Sequence, residues 1–94
     1  MAMYPLMTLS DKTLVTHSHL QEKDGIKIVD VHFERPSKTN FFDSARCSLP
    51  SYEWIVRDGY SDEEIKDFEQ MLRSGSHIIY KYAQLGGARV AKDI

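Results

Sequence analysis

Ninety-four residues carrying a formal charge of −2 are enough for one hydrophobic core and too few for a separate catalytic domain. Hydrophobic residues at 41% and charged residues at 28% exclude disorder throughout. A single cysteine, Cys47, excludes an intrachain disulfide and any paired-cysteine metal or redox motif. Such usage fits a reducing compartment. No apolar run reaches the roughly 18–20 residues of a membrane span, and Met1–Met7 lack the charged start and apolar centre of a secretory signal. The expected location is cytoplasmic, with no membrane association.

In chain order, residues 1–12 read as an irregular lead-in containing Pro5 and the polar Ser10-Asp11-Lys12. A first strand is expected from Thr13 to Gln21 and a second from Ile26 to Arg35, reversing at Asp24-Gly25. An Asp-Gly pair between alternating segments favours a two-residue turn in which both central residues take positive φ. If Lys23 pairs with Ile26, one face carries Leu14, Thr16, Ser18 and Leu20 opposite Arg35, Phe33, Val31 and Val29. The other face then gathers His17, His19, Asp30 and His32. A glycine-bulge turn pairing Glu22 with Ile26 is the alternative register. It would place His17 and His19 with Val31 and Val29, and turn Asp30 and His32 the other way. The first register separates polar from apolar more cleanly and is the expected one.

Arg35-Pro36 through Asn40 reads as a loop, and Phe42–Leu49 as a third strand with Ala45, Cys47 and Leu49 on its inner side. From Ser51 the period changes. A short helix over Tyr52–Asp58, capped by Ser51 and stopped by Gly59, is expected. A second begins with a capping box, Ser61 and Glu64, and a hydrophobic staple, Tyr60 and Ile65. It buries Ile65, Phe68, Met71 and Leu72 and closes or kinks at Gly75. A third spans His77–Leu85 and stops at Gly86-Gly87. The expected fold class is α+β: a three-stranded antiparallel β-meander followed by two or three helices packed on one face, in two layers. The single domain covers residues 13–87, followed by a frayed tail over residues 88–94. The open edges of the first and third strands offer a route to dimerisation or strand addition.

Three imidazoles and a carboxylate, His17, His19, Asp30 and His32, are a ligand set suited to zinc, since His-x-His on a strand places two side chains about 7 Å apart on one face. An open sheet face with no shaped cavity argues against that use, and no other cofactor is implied. Cys47 reads as a small core residue rather than a nucleophile. No Gly-x-Ser-x-Gly elbow, phosphate-binding loop or His-Glu-x-x-His motif occurs. Residues 51–75 carry seven acids against three bases, which disfavours a phosphate backbone beside that segment. The basic end, with His77, Lys81, Gln84, Arg89 and Lys92, is the less implausible nucleic-acid surface.

The expected function is a small non-enzymatic interaction or regulatory protein acting through a protein partner or homodimerisation. A metal- or ligand-binding protein built on the histidine face is the alternative, and a nucleic-acid regulator using the C-terminal helix is the third.

Overall fold

The computed structural model describes residues 3–38 and 41–85. Within them lie six strands, β1 (Met3–Thr8), β2 (Leu14–Ser18), β3 (Gln21–Lys23), β4 (Ile26–Pro36), β5 (Phe42–Leu49) and β6 (Glu53–Asp58), followed by one helix, α1 (Asp62–Leu85). Every strand pair is antiparallel, in the spatial order β1-β2-β4-β5-β6, and β3 continues along β4 where β2 ends. This overturns the expected three-stranded meander with two or three helices, although the two-layer α+β character stands.

The expected first strand, Thr13–Gln21, is divided into β2 and β3, and three further local differences account for the rest. Residues 3–8, expected as part of the lead-in, form the edge strand β1. Pro5 is compatible with a strand there because an outer edge does not require every backbone donor. Residues 53–58, expected as helix, form β6. The adjacent β-branched Ile55 and Val56 favour extended backbone, and Tyr52, at φ 60°, reverses the chain while its amide donates to the Ser48 carbonyl at 2.8 Å. Finally, Gly75 neither stops nor kinks α1, which runs unbroken for 24 residues, about 36 Å. A helix-interior glycine costs about 1 kcal/mol relative to alanine, and the apolar contacts of Leu72 and Ile79 on either side hold the helix across it. The expected stop at Gly86-Gly87 and the tail at 88–94 lie outside the described residues.

The start of α1 follows its sequence signature. The Ser61 amide donates to Glu64 at 3.0 Å and the Glu64 amide to the Ser61 hydroxyl at 3.2 Å, the reciprocal capping box. Buried Tyr60 and Ile65 flank it.

Alternation along the strands places Val15 and His17 of β2, Val29, Val31 and Phe33 of β4, and Ala45, Cys47 and Leu49 of β5 on one buried face. Against it α1 sets Ile65, Phe68, Leu72, Ile79 and Ala83. Phe33 stacks on Phe68 with centroids 4.2 Å apart, and Tyr60 meets Phe68 edge-on at 5.1 Å. Leu72 is fully enclosed, so its truncation to alanine removes about 2–5 kcal/mol.

The hairpin at Asp24-Gly25 keeps the expected register only at its tip and takes the alternative one over β2. Its tip is the two-residue turn, with Asp24 at φ 53° and Gly25 at φ 79°, pairing Lys23 with Ile26 and Gln21 with Ile28. Farther out, His17 pairs with Val31 and Thr16 with His32, which is the alternative register. Three residues, Ser18 to Leu20, therefore face two, Val29 and Asp30, and the strand breaks. The Ser18 hydroxyl repairs the ladder by accepting from the Asp30 amide at 3.0 Å and from Gln21 Nε2 at 3.2 Å while donating to the His19 carbonyl. The Leu20 amide turns aside to the Ala83 carbonyl of α1.

Candidate functional site

The one-residue offset in the hairpin decides the fate of the histidine set. His17 turns inward and is fully buried, with Nδ1 donating to the Ser18 carbonyl at 2.8 Å and the ring 5.7 Å from that of Tyr4. Its Nε2 meets no partner among the described residues. Asp30 and His32 lie on the opposite, open face, opposite Ser48 and Arg46 of β5. His19 sits exposed in the break. The expected convergence of His17, His19, Asp30 and His32 does not occur: the odd residue in the break sends His17 and His32 to opposite sides of the sheet. Among the described residues no three His, Cys, Asp or Glu side chains form a metal-ligating group.

On the open face His32 stands in a row with Thr16, Arg46 and Val56. Burial and the neighbouring Arg46 charge hold the His32 imidazole below its ordinary pKa, against the pull of Glu34 at 3.9 Å. Cys47 is buried on the inner face as expected, and burial with the nearby Glu69 charge pushes its thiol up to about 12. A thiol so protonated is a poor nucleophile.

The densest charged cluster centres on Arg35, a residue to which the sequence assigned no role. Its Nε donates to Asp43 at 2.8 Å, and its terminal nitrogens donate to Asp11 at 2.9 Å and to Glu64. The guanidinium lies 4.4 Å above the Tyr60 ring, whose hydroxyl is 3.1 Å from Thr13 Oγ1. Hydrogen bonding from Arg35 holds the Glu64 carboxyl below its usual value. For Asp11, burial works upward, but hydrogen bonds from Thr13 and Arg35 outweigh it and lower the pKa. Arg35 itself is raised, first by Glu64 and then by Asp43. One cation thus ties the β1–β2 loop, β4, β5 and the first turn of α1 together, and its donors are directed at three carboxylates. The cluster is a clamp between elements.

The sheet edges differ from those expected. β1 covers β2 and β6 covers β5, while β3 pairs with β4 alone, and the outer strands β1 and β6 each carry an irregularity, between Pro5 and Met7 and at Ile55, of the kind that discourages edge pairing. Exposed apolar surface lies elsewhere. Between β1 and α1 runs a groove of about 110 Å³ lined by Leu6, Met7, Met71, Gly75 and Ile78 over the core residues Leu72 and Ile79. Met7 is 44% exposed and Ile78 43%, too much for side chains settled in a core. Among the described residues a Cβ added at Gly75 would meet no neighbouring atom within 4 Å, so the glycine deepens the groove. Of the expected basic surface, His77, Lys81 and Gln84 are exposed on α1, while Arg89 and Lys92 lie outside the described residues.

No helix among the described residues is long and apolar enough to cross a membrane. In comparisons with known proteins, no family model, no curated protein and no solved structure matched this chain.

Proposed function

We propose that this chain is a non-enzymatic interaction domain that docks another protein surface against the groove between β1 and α1. The observation that carries this is the apolar lining of Met7, Met71 and Ile78 around the bare backbone of Gly75. Apolar side chains left in water beside a helix glycine favour association, because a partner both removes their surface from solvent and approaches the helix closely. The Arg35 clamp supports this use by fixing the start of α1 on the sheet, so that the groove is preformed and little ordering is required on binding.

The test is photo-crosslinking inside cells that make the protein. A benzophenone amino acid replacing Ile78 is expected to give protein adducts, while the same group at exposed Lys66 gives few. Equal labelling from both positions, or none from position 78, would refute the docking role of the groove.

A further inference from the structure

Asp67, Met71, Ser74, Ile78 and Lys81 follow one another along α1 at alternating four- and three-residue steps, so they form one continuous stripe of the helix surface. Met71 and Ile78 line the groove, and Asp67, Ser74 and Lys81 are exposed. The stripe has an acid at one end, a base at the other, and Ser74, next to Gly75, at its middle. Ser74 lies seven residues from Asp67 and seven from Lys81, about 10 Å along the axis in either direction. A second helix bearing the same stripe, laid antiparallel across Ser74, sets Asp67 of each copy against Lys81 of the other. Met71 of each then meets Ile78 of the other. A parallel arrangement would set acid against acid and base against base.

We propose that the groove is closed by a second copy of this chain, its α1 crossing antiparallel at Ser74-Gly75 in a two-fold dimer; this rests on the docking role given to the groove above. The symmetry is isologous, so every contact occurs twice. Gly75 then has a purpose. With open space where a side chain would stand, it lets the two helix backbones come closer than larger residues allow, and Met7 of each copy packs at the rim. The charge distribution along α1 agrees. Beyond Glu69 the described part of the helix holds no acid, and Arg73, His77 and Lys81 as basic groups, so an antiparallel pair sets each acidic half beside the other's basic half.

Sedimentation velocity on the purified full chain, from about 1 to about 100 µM, is expected to show a concentration-dependent mass of two chains. Ile78→Glu is expected to yield a monomer with unchanged far-ultraviolet circular dichroism. Asp67→Lys and Lys81→Asp, each alone, should weaken association about tenfold, and together restore it, because the exchanged charges again oppose one another. A monomer at the highest concentration, a dimer indifferent to Ile78→Glu, or a double variant no better than either single one would overturn the proposal. The position-78 crosslinker separates the two ideas. An adduct of two copies supports the dimer, an adduct only with a different protein overturns the dimer while sparing the groove, and no adduct overturns both.

Discussion

Replacing Arg35 with alanine leaves the Asp43 carboxylate, whose side chain is 12% exposed, without its cation. Removing one partner of a buried ion pair costs about 3–5 kcal/mol, because the remaining charge has lost its water and its counterion. Arg35 is itself 21% exposed and its other partners more so, Glu64 at 34% and Asp11 at 42%, so solvent screens those two pairs and each contributes under about 1 kcal/mol. Relaxation toward the accessible side of Arg35 sets the expected loss near the bottom of the buried range, about 3 kcal/mol, or about 12–24 °C in melting temperature for a domain of this size. Urea unfolding followed by Trp54 fluorescence and by circular dichroism gives the value, provided the two transitions coincide. A second measurement isolates the cause. Arg35→Met combined with Asp43→Asn removes the stranded charge and should be more stable than Arg35→Met alone. A loss below about 1 kcal/mol, or no recovery in the combined variant, would refute the account of Arg35 as the tie between sheet and helix.

Three further outcomes are expected. Gly59→Ala should destabilise by more than about 2 kcal/mol, because a Cβ there would stand 2.0 Å from Asp43 Oδ1 at a φ of +94°; Gly25→Ala, strained only by its φ of +79° with no atom nearby, should lose about 1 kcal/mol in the same denaturation assay. For His32, the folded chain keeps the imidazole neutral over a range in which the unfolded chain already binds a proton. Stability therefore falls as pH drops through the ordinary value of 6.5, and His32→Gln should flatten that slope in melting curves taken at successive pH values. Cys47, its thiol pushed up to about 12, should react with an aromatic disulfide reagent only through unfolding, at a rate that rises with urea; prompt labelling of the native protein would contradict its placement.

Much of the fold is legible where one local signal suffices. Period-two alternation gives β4 and β5 with their inner residues, Ser61 and Glu64 announce the start of α1, and Asp24-Gly25 specifies its turn. What escapes depends on neighbours far along the chain. Pro5 reads as a loop residue until β1 is known to lie at an edge. Gly59, which stands against Asp43, looks like a helix stop and lends residues 52–58 a false capping pattern that outweighs the β-branched Ile55-Val56. Gly75 carries a helix-breaking signal that core contacts at Leu72 and Ile79 override. The candidate site suffers most. The histidine set required one register along the entire hairpin, and Ser18 changes it midway. The groove was hidden because its walls come from a supposed lead-in and from two supposed helices that are one. Alternating four- and three-residue spacing from Asp67 to Lys81 was the signal that could have found it.

The break between β2 and β3 also divides the hairpin into two parts whose alignments are set separately. The base takes its alignment from β1 and β4, the tip from the Asp24-Gly25 turn, and the mismatch is absorbed at Ser18 to Leu20. Deleting His19 would leave both alignments intact and merely straighten the strand, with Val15 and His17 still inward. Residues 22–26 are all exposed, and Lys27 behind them is held by Tyr80 of α1, whose hydroxyl donates to its carbonyl at 2.8 Å, so the tip is an appendage that can be recut, lengthened or exchanged for a foreign loop while the layer beneath α1 keeps its orientation.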